Sequence, residues 1–443
     1  MSYQQRQPAV SQTTRRGFLT QAAVLAAVPA ATAMTVPPNV HAAGSDRLRI
    51  GLIGCGGRGC GAAASALTVD PSAQLTAVAD AFAERTEFAR RTLTKKADKQ
   101  VVVDDEHCFS GLDAYRRLLA SGVVDVALLV EPPHFRPIHV DACIEAGVHV
   151  FAEKPMGVDA PGARRLLAAA EKAKEKKLSF VGGFETRYRP GARDVMRRIH
   201  DGAIGEIQAI QCNYNTGFLW HRGRLPEWTE MQYQLRNWYY FTWLSGDHNV
   251  EQHCHLMDVA AWIMRDETPL DAWGVGGRQV RVEPKWGDIF DHHAVVYEYA
   301  SGARCYGICR QQANCWNDVS LVAYGSKGRL STRGLDRFTL SGGTHYEGEP
   351  DKEHPELITF REMFAGIREG KPVNEGVQIA HSTMLSILGR MATHSGQRIR
   401  WDDALASNVK LAPESYAWDA TPPILPDAEG KYPVPVPGVT KVL

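Results

Sequence analysis

The chain has no surplus of either charge, no paired-cysteine spacing and no apolar run long enough to cross a bilayer. Each absence removes a class of function. Its 50 Lys and Arg offset 50 Asp and Glu, a formal net charge of +0, which leaves no basic footprint for a nucleic-acid backbone. Without a long apolar run, no membrane span is expected. The nine cysteines, at 55, 60, 108, 143, 212, 254, 305, 309 and 315, show no CxxC pair and no compact framework, which argues against a disulfide scaffold or a zinc ribbon. Cys305 and Cys309 fall at alternating positions on one strand face, and the cysteines read as small buried apolar residues. There is no internal repeat. What remains is a 443-residue chain, 44% hydrophobic and 23% charged, with room for about two domains.

Near the start stands TTRRGFLTQAAVLAAVPAATA, residues 13–33. Adjacent Arg15 and Arg16, then Phe18-Leu19, precede a modest apolar run from Ala22 to Ala33. That order is similar to a twin-arginine export signal, an address and not an anchor. Small-x-small sites follow at Ala31-Thr32-Ala33 and Val40-His41-Ala42, and cleavage is expected after Ala42. Residues 1–42 are therefore expected to be a signal peptide and the mature protein to be exported, periplasmic if the cell has that compartment. Unpaired cysteines fit a route that carries chains already folded.

From Arg47 to Ile53 the sequence reads as a short strand, and Gly54-Cys55-Gly56-Gly57-Arg58-Gly59 follows at once, with small helix-forming residues behind it. This is G-x-G-x-x-G between a strand and a helix, where glycine allows a tight turn and close approach to a pyrophosphate at the helix N-terminus. A second strand, Gln74 to Ala79, ends in Asp80, placed to hold ribose hydroxyls. Its charge opposes a 2′-phosphate, so NAD is expected over NADP, with Arg58 and Arg85 able to soften the preference. Strands and helices then alternate to Gly182, with strands Val123–Val130, Val148–Ala152 and Ser179–Gly182 apolar along their length. That pattern implies a parallel sheet covered on both faces. Ligands bind beyond the carboxyl ends of such strands, where Glu131-Pro132-Pro133-His134 and Glu153-Lys154-Pro155 stand.

The segments GLIGCGGRG, VEPPHFRPIHVDACIEAGVHVFAEKPMGVD and EQHCHLMDVAAWIM resemble the glucose–fructose oxidoreductase/inositol dehydrogenase (Gfo/Idh/MocA) family, from about residue 47 onward. Glu-Lys-Pro after a strand is the most specific part. The resemblance implies an α/β fold: an N-terminal Rossmann domain, then a second α/β domain with an open, mostly antiparallel sheet. It also implies that Lys154 lies near the nicotinamide. Glu131-Pro132-Pro133 replaces the family's usual Thr-Pro-Asn, and Glu251-Gln252-His253-Cys254-His255 its Asp-x-Gly-x-His. His255 then maps onto the catalytic histidine and Glu251 onto the acid before it. The expected organisation is a Rossmann domain over 47–185, a substrate and oligomerisation domain over 186–375, a helix returning to the Rossmann side over 376–400, and a proline-rich tail over 418–443 lying along the surface or a neighbouring subunit. A homo-oligomer is expected.

Oxidation of an alcohol carbon needs a nicotinamide face, a proton acceptor and a donor that steadies the carbonyl oxygen. Lys154 is the candidate donor, with an ammonium pKa expected to fall beside NAD⁺ in a desolvated cleft. His255 is the candidate base. Helical spacing from Asp247 puts His248, Glu251 and His255 on one stripe, so Glu251 is expected to orient the His255 imidazole and His248 to face substrate. The stripe also has metal-ligand spacing, but no zinc-type cysteine–histidine pattern accompanies it, and no metal is expected. Gly54, Gly56, Gly57, Arg58, Gly59, Asp80, Glu131, Pro132, His134, Glu153 and Lys154 are the expected cofactor contacts. The aromatic, arginine-rich segment 218–249, with Arg222, Arg224, Arg236 and Trp238, suits a wall against the C–H faces and hydroxyls of a sugar. The expected activity is NAD-dependent oxidation of a secondary hydroxyl of a sugar, glycoside or cyclitol, with the cofactor tightly held and recycled. The alternatives are a glycosidase that oxidises its substrate transiently, and a non-catalytic sugar-binding protein.

Overall fold

The computed structural model describes residues 47–343 and 345–443. The signal expected over 1–42 lies outside them. The first layer system runs β1 (Arg49–Ile53), α1 (Gly57–Val69), β2 (Gln74–Asp80), α2 (Ala83–Ala97), β3 (Cys108–Ser110), α3 (Ala114–Ala120), β4 (Val126–Leu129), α4 (Arg136–Glu145), β5 (His149–Ala152), α5 (Ala160–Glu175) and β6 (Phe180–Gly182). The six strands are all parallel, in the order β3-β2-β1-β4-β5-β6. β4 and β5 are buried at every position, as strands covered on both faces must be. The order reverses beside β1, so the crevice beyond the ends of β1 and β4 is the natural ligand site.

The chain continues through α6 (Pro190–His200), β7 (Ile207–Thr216), α7 (Glu230–Arg236), α8 (Thr242–Ser245), α9 (His248–Glu251), α10 (Cys254–Ile263) and β8 (Asp271–Gly277). β9 (His292–Glu298), β10 (Arg304–Gln311), β11 (Asp318–Gly325), β12 (Gly328–Arg333), β13 (Arg337–Gly342) and β14 (Tyr346–Glu347) follow, then α11 (Pro355–Arg368), α12 (Gly376–Ser395), β15 (Ile399–Arg400) and α13 (Trp401–Ala406). Nine strands form one open sheet, β14-β13-β12-β11-β7-β10-β9-β8-β15. Every pairing is antiparallel except β7 with β10. One face of β10 is buried through Cys305, Gly307, Cys309 and Gln311, while Tyr306 and Ile308 stand exposed on the other.

α12 is buried over almost its whole length. It packs on α5 of the first layer system and on β8 and β9 of the second sheet. Close approach demands glycine at two positions along it. A Cβ at Gly376 would meet the Ala170 methyl at 2.4 Å, and one at Gly389 the Tyr297 hydroxyl at 2.1 Å. α11 packs on α1. Residues 407–443 form no helix or strand and lie across their own chain. Tyr432 packs edge-on against Phe241 at 5.0 Å, and Gly438 N donates to Ser395 O at 2.7 Å.

The continuous helix expected from Asp247 onward is interrupted. His253 N donates to His248 O at 3.2 Å, five residues back, beside the Gln252 bond to the same carbonyl at 3.0 Å. This widened turn ends α9 at Glu251 and restarts the chain as α10 at Cys254. Glu251 and His255 therefore stand on separate helical segments. No helix among the described residues is long and apolar enough to cross a membrane.

Candidate active site

β1 runs straight into the glycine loop. Gly54 adopts φ +94°, and a Cβ there would meet Glu131 N at 2.4 Å. A Cβ at Gly59 would meet Gly54 O at 1.9 Å. Both positions therefore exclude any side chain. Gly56 and Gly57 are different, because nothing lies within 4 Å of a Cβ built on either. They open onto a cavity of about 320 Å³ at the N-terminus of α1. Asp80 lies at its rim, one oxygen accepting from Cys55 N at 2.7 Å and the other from Phe82 N at 3.0 Å. Burial raises the Asp80 carboxyl, and those two N–H donors oppose the rise. Free backbone at a helix N-terminus beside a ribose-binding carboxylate fits a dinucleotide. Gly54, Gly56, Gly57, Arg58, Gly59, Glu131 and Pro132 all border this cavity.

Three of the expected cofactor contacts, His134, Glu153 and Lys154, do not border this cavity. His134 is buried, its Nε2 2.8 Å from the Tyr416 hydroxyl and its ring edge-on to Trp243. Glu153 is also buried and pairs with Arg58, which reaches Glu356 as well. Arg58 is therefore committed to two carboxylates, and Arg85 also borders the cavity.

Arg222, Arg236 and Trp238, expected on a sugar-facing wall, instead border the cavity that holds Asp80 and the glycine loop. Arg236 donates to Glu84 at 2.6 Å and lies 3.8 Å over the Phe82 ring and 4.8 Å over Trp228. Arg222 lies 5.5 Å from the centre of the Trp220 ring. Arg224 pairs with Glu230 and Tyr432, away from the cavity. The aromatic segment thus roofs the dinucleotide groove from the second domain.

At the ends of β4 and β5, one buried side chain holds two loops. Arg136 donates to the carbonyls of Lys154 at 3.2 Å, Pro155 at 2.5 Å and Glu131. Sequence reasoning missed this clamp. Its only trace is an arginine directly after the Pro-Pro-His-Phe turn. Lys154 projects from the clamped loop and its Nζ donates to Glu251 twice, to Oε1 at 2.9 Å and to the backbone carbonyl at 2.7 Å. Burial pulls its ammonium pKa down, but Glu251 and Cys254 more than restore it, and the net shift is upward. The expected fall is therefore corrected, because a carboxylate faces the lysine.

Glu251 is spent on Lys154 and does not orient His255. The His255 imidazole is held well below its ordinary pKa, first by burial and then by the Lys154, Arg58 and Arg189 cations. It is therefore neutral at neutral pH. Asp258, three residues on, is bound by Arg187 at 3.0 Å and Ser382 at 2.7 Å, which fixes α10 against α12. His248 is fully buried and its Nδ1 faces Asp247 at 2.9 Å, so it is no substrate contact.

Two family models match the chain: an oxidoreductase family with an NAD-binding Rossmann fold over residues 48–181, and a GFO/IDH/MocA C-terminal domain over 192–331. Among curated relatives, a dTDP-3,4-didehydro-2,6-dideoxy-alpha-D-glucose 3-reductase of Actinomadura kijaniata is 29% identical over 39% of this chain and 47% of its own length. The chain thus spans about half of that relative. An inositol 2-dehydrogenase of Rhizobium meliloti is 24% identical over 64% of this chain and 75% of its own. Among solved structures, a levoglucosan dehydrogenase in complex with NADH and levoglucosan superposes with a TM-score of 0.63 at 15% identity, covering 80% of this chain and 99% of that one. At that identity the likeness concerns the fold.

Proposed function

The chain belongs to the Gfo/Idh/MocA oxidoreductase family, and from that premise we propose that it oxidises a secondary hydroxyl of a sugar, glycoside or cyclitol with NAD. The observation that carries this reading is the Lys154–Glu251 pair beside a neutral His255, beyond a groove with open glycine backbone and Asp80. NAD, when bound, supplies the hydride acceptor. Lys154, kept charged by Glu251, donates a hydrogen bond to the reacting oxygen and stabilises it as carbonyl character grows. His255, uncharged, takes the hydroxyl proton. Arg136 fixes the loop from which Lys154 reaches out. Incubation with NAD and a panel of sugars, glycosides and cyclitols, followed by mass spectrometry, should show loss of two hydrogens from an accepted substrate. Full turnover by both Lys154→Ala and His255→Ala variants would refute these roles.

The same reading extends to how the cofactor is kept. With the twin-arginine pattern at Arg15-Arg16, the folded chain leaves the nicotinamide pool behind, and a cofactor that dissociates is lost. The roof formed by Arg236, Phe82 and Glu84 supports retention. Each hydride then returns to the same molecule, with or without cleavage of a glycoside, or passes to a second sugar in the same site. Protein purified without nucleotide should carry NAD(H), visible by absorbance and mass spectrometry. An empty protein that consumes added NAD stoichiometrically would make it an ordinary dehydrogenase. Assembly of identical chains through the outer face of the second sheet, where Tyr306, Ile308 and Tyr324 are exposed, belongs to this reading and is measured by light scattering.

A further inference from the structure

Away from the cleft, three histidines converge on one fully buried carboxylate. Asp247 precedes α9 with φ +74°, a value rare for a residue with a side chain. Its Oδ1 accepts from His248 N at 2.5 Å and faces His248 Nδ1 at 2.9 Å and His293 Nε2 at 3.4 Å. Its Oδ2 accepts from Phe290 N at 2.9 Å and faces His394 Nε2 at 3.0 Å. Asp247, His293 and His394 each offer a ligand atom within 4.8 Å of the other two, and all three are buried. They come from the start of α9, from β9 and from the last turn of α12, elements far apart in sequence.

The hydrogens around this knot leave a lone pair in need of a partner. His293 Nδ1 lies 2.8 Å from the Thr393 hydroxyl, which itself reaches the helix carbonyls of Gly389 and Arg390 at 3.1 Å each. With that hydroxyl donating to the helix, His293 donates through Nδ1 and turns a bare Nε2 toward the Asp247 carboxylate. The Nε2 atoms of His293 and His248 are both buried without a hydrogen-bond partner. A lone pair facing a carboxylate oxygen is repulsive unless a proton or a cation lies between them. The separations, 3.4 Å from Asp247 Oδ1 to His293 and 3.0 Å from Oδ2 to His394, are comparable to the roughly 3.3 Å between ligand atoms of a tetrahedral ion bound at about 2.0 Å, with the carboxylate offering an oxygen toward each imidazole. The Thr393 contact sets the His293 ring as partners of metal-binding histidines do. His394 also borders a cavity of about 220 Å³ lined by Arg390, Asp288, Trp243 and tail residues Pro435 and Lys441.

The geometry points to a binding site for one divalent transition-metal ion of the zinc class, held by Asp247, His293 and His394. The donors are two imidazoles and a carboxylate with no thiolate, a set that suits Zn(II) and its Co(II) substitute. The ion ties α9, which carries Glu251, to α12 and β9. It is a cross-link that positions the α9 turn and takes no part in hydride transfer.

The test uses the full chain with no polyhistidine tag, purified without chelator. Elemental analysis should find about one equivalent of metal per chain, and the chelated protein should take up Co(II) with visible ligand-field bands and regain thermal stability with Zn(II). His394→Gln keeps an N–H donor for Asp247 but removes the imidazole, and should lose both the bands and the Zn(II)-dependent rise in Tm, as should His293→Gln. Wild-type protein with less than about a tenth of an equivalent of metal, no Co(II) bands and no Zn(II) effect would show a hydrogen-bonded hub only and overturn the site. Unchanged metal content in His394→Gln would place the ion elsewhere and overturn it equally. If the variants do not fold, the wild-type metal content and Co(II) spectrum decide alone.

Discussion

Lys154 and Glu251 meet 97 positions apart in sequence, the lysine Nζ bridging the carboxylate and the backbone carbonyl of the same residue. The carboxylate keeps the buried ammonium protonated, with its pKa above the ordinary lysine value. A raised folded-state pKa adds stability that is fully present below the unfolded lysine value of about 10.4 and is lost as pH rises through the folded one. Glu251→Gln removes the largest opposing charge and leaves burial the dominant influence. The Lys154 pKa should then drop, and the alkaline limb of kcat/KM should move to lower pH by about one unit or more. Lys154→Met should lower kcat by roughly a hundredfold or more. An alkaline limb unmoved in Glu251→Gln would show that Lys154 is not the titrating donor.

Two glycines of one loop should respond in opposite ways. Gly59→Ala drives a methyl to 1.9 Å from Gly54 O, and should cost roughly 3 kcal/mol of stability as an overpacked backbone contact. Gly56 has φ −75° and open space where a Cβ would stand. Gly56→Ala should fold with an unchanged Tm and lose NAD affinity, because the methyl enters the space a pyrophosphate needs. Thermal melts with and without NAD separate the two. A Gly56→Ala protein that binds NAD normally would remove the pyrophosphate from this loop.

The glycine loop was legible because its signal is local: strand, glycines and helix lie within about twenty residues, and Gly54 and Gly59 answer to backbone constraints. The parallel strands were legible from unbroken apolar runs such as Val126–Leu129. β7 was less so, since Gln208 and Gln211 interrupt the apolar pattern of Ile207, Ile210 and Cys212 in a largely polar stretch. The break between α9 and α10 could not be read at all. It depends on an extra residue in one turn, which periodicity averages away, and with it went the expected pairing of Glu251 with His255. The segment from Trp220 to Trp238 had the composition of a ligand wall, but which ligand it faces is set by the packing of Arg236 on Phe82 and Glu84, a tertiary contact without a sequence period.

Acid should unfold the protein through its buried histidines. Burial lowers His134 and His253 to about 3 and holds His255 well below its ordinary value. These groups are neutral in the fold and charge readily in the unfolded chain, whose histidine pKa is about 6.5. A depressed folded-state pKa gives stability that is present above the unfolded value and lost as pH falls toward the folded one. Below about pH 6.5 each histidine should therefore cost up to about 1.4 kcal/mol per pH unit. Urea midpoints measured from pH 7 to 4 should fall, with a shallower slope in His134→Phe, which fills the same apolar pocket beside Trp243 and does not titrate. Equal slopes in the two proteins would show that His134 is charged or solvated in the native state.

The latch between Arg236 and Glu84 offers the sharpest test of cofactor retention. Arg236 spans from α7 to the start of α2, its guanidinium lying on the Phe82 ring while it pairs with the Glu84 carboxylate. The pair is partly solvated, with the Glu84 side chain 57% exposed, so its charge alone contributes little to folding, about 0–1 kcal/mol as for surface pairs. Its position matters more, because Phe82 and Arg236 both border the groove that opens over Gly56 and Asp80. The latch stands at the border of that groove, so breaking it should act on dissociation first. Glu84→Ala should leave Tm of the nucleotide-free protein within about a degree and raise the NAD off-rate several-fold. Arg236→Ala should do more, since it removes the stacked guanidinium as well as the charge, and this variant should lose its nucleotide during purification while still turning over with NAD added. Stopped-flow displacement of bound NADH, followed by its fluorescence, gives the rates directly. Off-rates unchanged in both variants would mean that the aromatic segment roofs the groove without guarding it.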